Sequence, residues 1–119
     1  MDTNNLVVDL ELSTLNNTFF RRVISTNEHS QLVLMSILPN HDIGMEMHPD
    51  NDQFIRVEEG EGYARLGNKY HQIHDGVSIT VPAGTYHNIV NTSPDYDLKL
   101  YTIYSPPLHE EDEIISNEV

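Results

Sequence analysis

Gly76-Val77-Ser78-Ile79-Thr80-Val81-Pro82-Ala83-Gly84-Thr85-Tyr86-His87-Asn88-Ile89-Val90-Asn91 is the stretch on which the fold class turns. It reads as two short β-rich runs, Val77 to Val81 and His87 to Asn91, parted by turn residues. Val81-Pro82-Ala83-Gly84 suits a type I turn, with Pro at its second position and Gly at its fourth. The same alternation continues in both directions. Upstream, Tyr63 to Leu66 and Lys69 to Ile73 flank Gly67-Asn68, a two-residue hairpin signal that needs positive φ, and Asp75-Gly76 turns into the next run. Gln53 to Val57 is closed by Gly60 and Gly62. Phe19 to Ile24 and Gln31 to Leu38 are the first strands, the second ending at Pro39-Asn40. Downstream, Leu98 to Tyr104 is stopped by Pro106-Pro107. No helical stripe of useful length and no internal repeat interrupts the series. Residues 108–119 read as a helical or frayed end. The architecture is all-β, at the strand spacing of a sandwich or barrel.

Composition narrows the function classes. The 119 residues fit one domain, 1–119, and the 38% hydrophobic share asks for an economical core. The chain has no cysteine, so disulfides, thiolate metal sites and thiol nucleophiles are excluded. Six Lys and Arg against 19 Asp and Glu give a net charge of −13, which repels a phosphate backbone and argues against nucleic acid as a partner. Glu110, Glu111, Asp112, Glu113 and Glu118 read as a solvated acidic tail. No secretion signal or membrane span is visible, and the expectation is a soluble, cytoplasmic protein.

Once the strands are drawn, four side chains stand out as candidate metal ligands. Glu46 and His48 are two apart, so on an extended segment they share a face with Cα atoms about 6–7 Å apart. Gln53 opens the following strand, and His87 lies beyond the Pro-Gly turn, distant in sequence but within reach in a barrel. Imidazole nitrogen, carboxylate and amide oxygen together suit one divalent transition ion, Mn, Fe, Co, Ni or Zn.

The surrounding pattern resembles a known family. Asn40-His41-Asp42-Ile43-Gly44-Met45-Glu46-Met47-His48-Pro49, running on to Gln53 and Gly60, is similar to the first cupin motif: Gly, five residues, His-x-His, three or four residues, Glu, six residues, Gly. Residues 76–91 are similar to the second, which reads Gly, five residues, Pro-x-Gly, two residues, His, three residues, Asn, and match it without departure. Phe20 to Val23, Gln31 to Ser36, Asp52 to Arg56 and Leu100 to Pro107 further resemble small bacterial one-domain cupins of the mannose-6-phosphate isomerase-like type. The resemblance implies a small antiparallel β-barrel or jelly roll, with core motifs at 40–60 and 76–91, and a mononuclear metal site. Small cupins commonly pair, which implies a homodimer, and Leu6-Val7-Val8 is suited to strand pairing across its interface.

Three departures from the motif bear on the chemistry. Asn40 replaces the first Gly, and Asn tolerates positive φ. Glu46 stands in the place of the first His and Gln53 in that of the Glu. The donor set becomes two His, one Glu and one Gln, still with one negative charge. Two His and a carboxylate also resemble the facial triad of non-haem iron enzymes. Strand alternation puts Arg56 on the face opposite Gln53, allows at most one of Tyr101 and Tyr104 into the pocket, and turns Tyr86 away from it. His71 and His74 read as exposed; His29, His41 and His109 read as loop residues without a partner. These readings leave open a metal-dependent enzyme, an isomerase or dioxygenase acting on a small sugar derivative or organic acid, and a non-catalytic small-molecule-binding protein. No general acid or base beyond the ligands is identifiable from sequence.

Overall fold

β-Branched and aromatic runs separated by glycine turns give the strands, most of which pair with partners distant in sequence. In the computed structural model, which describes residues 5–117, a short helix α1 (Leu10–Asn16) precedes β1 (Arg21–Thr26), β2 (Gln31–Ile37), β3 (Asp52–Glu59), β4 (Glu61–Leu66), β5 (Lys69–His74), β6 (Ser78–Val81), β7 (His87–Asn91), β8 (Leu98–Ser105) and the two-residue β9 (Ile114–Ile115). The strands form a six-stranded sheet in the order β6-β3-β8-β2-β1-β9 and a three-stranded sheet β5-β4-β7. All the ladders are antiparallel. The inner faces meet around one core that takes Val33, Met35, Ile37, Ile55, Val57, Leu98 and Leu100 from the larger sheet and Ala64, Ile73 and Ile89 from the smaller. The all-β reading holds.

Strand parity decides what else points inward. On β3, Gln53 shares the inner face with Ile55 and Val57; on β8, Thr102 and Tyr104 share it with Leu98 and Leu100. Arg56 lies outside, its Nε 3.0 Å from Glu58 Oε1, and Tyr101 packs on Phe54 on the outer face. Gln53 pairs in register with Val81 of β6 and Tyr104 of β8, so the polar inner residues cluster at one end of the barrel.

Several local readings need correction. The Pro-Gly turn is shifted by one residue: Thr85 N–H donates to Pro82 O and Gly84 sits at φ +82°. Positive φ at the third position is the signature of a type II rather than a type I turn. At the β4–β5 hairpin only Gly67 has positive φ (+59°), as in a II′ turn. Asn40 adopts φ +60°, the conformation expected of a glycine substitute. Helix α1 is only seven residues long, too short to show a periodicity in sequence; Asp9 caps it, accepting from Leu12 N–H at 3.2 Å. Leu6 and Val7 form a bend before α1, with Val7 94% exposed. Residues 108–117 are not helical. They form a strap that returns across the barrel and ends in β9 against β1; Glu118 lies outside the described residues. Among these residues no helix is long and apolar enough to cross a membrane.

One glycine is dictated by proximity alone. A Cβ on Gly62 would lie 1.9 Å from Val90 O, across the β4–β7 ladder, whereas one on Gly67 meets nothing within 4 Å. Gly67→Ala should therefore cost about 1 kcal/mol, the left-handed penalty alone. Gly62→Ala should cost about 3 kcal/mol or more, because the clash is with backbone and cannot relax by a rotamer change. Urea denaturation midpoints of the two variants check this ordering, and equal losses would refute it.

Candidate functional site

The candidate ligands are set in place by backbone bonds between the two motifs. Segment 41–48 runs alongside β7, and Glu46 and His87 form an antiparallel bridge in which each N–H donates to the other's carbonyl at 2.9 Å. Asn88 steadies this loop, its Oδ1 accepting from Gly44 N–H at 3.0 Å. His48 O accepts from Gly84 N–H at 2.9 Å, so the Pro82–Thr85 turn grips the segment that carries the first His. The motif asparagine, Asn91, is structural: its buried amide donates to Ile37 O, Leu38 O and Tyr96 O.

These bonds bring Glu46, His48 and His87 side by side. His48 Nε2 lies 3.3 Å from Glu46 Oε2, and the His48 and His87 rings are 5.3 Å apart, tilted by 59°. His87 is 4% exposed, and the His48 and Glu46 side chains 13% and 28%. His87 Nδ1 is 2.9 Å from Thr85 O, which fixes the tautomer: Nδ1 donates and Nε2 keeps its lone pair. Gln53 sits behind, its amide donating to Thr102 Oγ1 at 3.0 Å and to the Tyr104 hydroxyl at 3.2 Å. The Tyr104 ring is edge-on to His48 at 5.8 Å.

The strap completes the wall, and it contributes residues that sequence reading passed over. Gln31, fully buried, accepts from Leu108 N–H and His109 N–H with Oε1 and donates to His109 O with Nε2. Asn51 donates to Pro106 O. So held, the His109 ring packs edge-on to Tyr104 at 5.0 Å, with its side chain 13% exposed. Glu113 Oε2 lies 3.6 Å from His109 Nδ1 and 3.5 Å from Arg21 Nη1. Glu113 is thus an internal partner rather than part of a solvated tail. No local pattern announces His109; only the parity of Arg21 with Val23 and of Gln31 with Val33 hints that polar groups await a partner inside.

Unmet hydrogen-bonding capacity concentrates here. Among the described residues the buried side-chain atoms without a hydrogen-bond partner are Arg21 Nε, Ser36 Oγ, His48 Nε2, Gln53 Oε1 and His109 Nε2. All but Ser36 belong to the groups just described. Each such atom costs about 1–3 kcal/mol, so four of them at one end of a barrel mark a place shaped for something other than packing. The donor chemistry fits a divalent ion: an imidazole nitrogen and an amide oxygen without partners, a second imidazole with its tautomer set, and a carboxylate beside them. The side chains do not close on a common centre, since among the described residues no three His, Asp or Glu groups cluster as an ion cage. Glu46 instead leans on His48.

Burial governs the electrostatics. It lowers the pKa of His48 and outweighs the opposing pull of Glu46, with His87 and Arg21 lowering it further. Burial also raises Tyr104, with Glu46 adding to the effect, so its hydroxyl stays protonated. His109 is lowered to about 4, by burial first and by Arg21 next, against Glu113.

Comparison with other proteins places this geometry. Residues 33–104 match the cupin domain family. The chain is 50% identical over 111 residues to an uncharacterized protein of Acanthamoeba polyphaga mimivirus, covering 91% of this chain and 69% of that one. It is 43% identical over 109 residues to the uncharacterized protein YrkC of Bacillus subtilis (strain 168), covering 87% of this chain and 58% of the relative, so the chain spans little more than half of YrkC. Among solved structures, BH2720 from Bacillus halodurans superposes with a TM-score of 0.91 at 43% identity, over 93% of this chain and 88% of the other.

The low pKa of His109 has a stability consequence. Unfolded, the imidazole titrates near 6.5, and folded near 4, so between these values the unfolded chain binds more protons. The contribution of neutral His109 is complete above about pH 6.5 and is lost as pH falls toward about 4. His48, shifted the same way, acts in the same sense. Melting temperature should fall between pH 7 and pH 4.5, and less steeply in His109→Gln. Parallel melting curves for the two proteins across that range would contradict this assignment.

Proposed function

The chain belongs to the cupin domain family, and on that premise we propose that it holds one divalent transition-metal ion at Glu46, His48, Gln53 and His87 and acts there on a small oxygen-rich metabolite. The observation that carries the reading is the buried Gln53 Oε1 without a hydrogen-bond partner, beside an imidazole whose other nitrogen is already committed to Thr85 O and a second, His48, whose Nε2 lies 3.3 Å from Glu46 Oε2. A bound ion would act as a Lewis acid on a ligand oxygen. The chain's own residues do the positioning. Thr85 turns the His87 ring, and Thr102 with Tyr104 orient the Gln53 amide so that its oxygen faces away from them. Tyr104 remains a neutral phenol, able to donate but not to act as a base. The ligand class follows from charge: one carboxylate against a divalent ion leaves the site positive within an acidic protein, which favours a small carboxylate or hydroxy-carbonyl compound. A sugar derivative or organic acid fits this description. Isomerisation of such a compound, dioxygen chemistry, and binding without turnover would all use the same donors.

A competing reading makes the pocket purely polar, with protonated His48 paired to Glu46 across the 3.3 Å contact. It requires a charged imidazole where burial disfavours charge, and the net shift at His48 is downward despite Glu46. A neutral, ligating His48 accords better with that balance.

Elemental analysis of protein purified without added metal should find about one Mn, Fe, Co, Ni or Zn per chain. His48→Ala and His87→Ala should each weaken binding by more than the 10–100-fold typical of outer-shell losses, and Gln53→Ala by roughly tenfold, since water can replace a neutral oxygen. Affinity should drop as pH falls and the imidazoles protonate. Protein that carries no metal and takes up none of these ions in titration would leave only the polar pocket.

A further inference from the structure

Two of the unpartnered buried atoms lie outside the proposed ligand set, and their roles are complementary. Arg21 Nε–H is a charged donor on the inner side of β1. His109 Nε2 is an acceptor: with Nδ1 turned toward Glu113, the neutral ring carries its lone pair on Nε2. The two are neighbours by construction, because one carboxylate oxygen, Glu113 Oε2, lies 3.5 Å from Arg21 Nη1 and 3.6 Å from His109 Nδ1. Glu113 thereby contacts one nitrogen of each group, while Arg21 Nε and His109 Nε2 keep no hydrogen-bond partner. Tyr104 joins this pair to the rest of the wall, its ring contacting both His109 and His48 and its hydroxyl reaching Gln53. The arrangement is tied down: Gln31 makes two hydrogen bonds to the His109 backbone and one to Leu108 N–H, and β9 pairs with β1 at Arg21.

From this we propose that Arg21 and His109 form a recognition subsite for a 2-hydroxy carboxylate, in which Arg21 Nε–H donates to a carboxylate oxygen and His109 Nε2 accepts from the ligand hydroxyl. The inference rests on the metal-centre reading, which supplies the positive charge that offsets Glu46 and Glu113 when an anion enters. It adds what that reading lacks, a reason for choosing hydroxy acids among oxygen-rich compounds. A charged donor beside an acceptor matches a carboxylate with a hydroxyl next to it. A plain carboxylate leaves the acceptor unmet, and a neutral polyol leaves the arginine unmet. Each mismatch strands a buried polar group.

Glycolate and acetate differ by the hydroxyl alone and serve as probes. Isothermal titration of the full chain loaded with Mn or Zn should show glycolate binding at least about tenfold more tightly than acetate. His109→Ala should erase that ratio, while Arg21→Gln should weaken both acids about equally and leave the ratio standing. In the unaltered protein, nitrogen NMR of His109 should show the Nε2 resonance moving with glycolate and not with acetate, a readout independent of whether either variant folds. Equal affinities, a preference that survives His109→Ala, a stationary Nε2 resonance, or no binding of either acid would overturn the subsite. Metal content is measured in the same samples. Protein that holds the ion without preferring glycolate overturns the subsite alone, whereas protein that takes up no ion overturns the centre and the subsite together.

Discussion

The reciprocal pair of backbone hydrogen bonds between Glu46 and His87, with the Gly84 N–H to His48 carbonyl bond beside it, binds two stretches of chain some forty residues apart. Segment 41–48 has no ladder of its own beyond isolated bridges to β7. Without these bonds its side chains would have no fixed direction. The type II turn at Pro82–Thr85 serves two ends at once: its glycine amide holds His48, and its Thr85 carbonyl fixes the ring of His87. A single tight turn therefore sets the position of one imidazole and the tautomer of another. Its proline and positive-φ glycine matter to the site as backbone geometry, although neither contributes a side-chain donor.

The barrel interior is divided lengthwise. One end is filled by Val33, Met35, Ile37, Ile55, Val57, Leu98 and Leu100, an ordinary dry core. The other carries Gln31, Gln53, Tyr104 and the histidines, with Thr102 one rung in, in register with Val33 and Ile55, and the Arg21 guanidinium near His109. Polar groups in such a place are tolerable when they satisfy one another, as Gln31 does with the strap and Asn91 with three carbonyls. Apart from Ser36 Oγ, the buried atoms left over among the described residues belong to Arg21, His48, Gln53 and His109. Hydrogen-bonding capacity that is used up separates Gln31 and Asn91 from the residues proposed as ligands.

The strands were legible because each is a β-rich run closed by Gly, Pro or Asn, and the Glu46, His48 and His87 neighbourhood followed from period-two parity and the two motifs. Gln53 facing inward and Arg56 outward came from the same parity, which also allowed only one of Tyr101 and Tyr104 inside; the structure shows that it is Tyr104. What stayed hidden depended on contacts between distant residues. α1 is too short for a stripe, and its burial rests on Thr14 rather than on an apolar face. The acidic run near the C-terminus looked solvated because the partners of Glu113, Arg21 and His109, are respectively 92 residues away and one helical turn back in a segment that is not a helix. The fate of a carboxylate is decided by which cation the fold brings to it, and composition cannot supply that.

The strap has a bearing on the order in which the molecule is assembled. Arg21 waits for Glu113, Gln31 for Leu108 and His109, and Thr18 and Ser36 for Asn117, separations of 77 to 99 residues. A ribosome releases the chain from the N-terminus, so β1 and β2 emerge long before the strap residues that Arg21 and Gln31 bind, although Thr26 Oγ1 can already accept from Gln31 Nε2. Hairpins such as β4–β5 can close at once, but the six-stranded sheet gains its β9 edge only when residues 108–117 are free. Loop closure over such distances is slow relative to local pairing. The pocket is consequently among the last parts of the protein to exist, and a nascent chain arrested near Ser105 would hold most of the core with the wall around His109 still unbuilt.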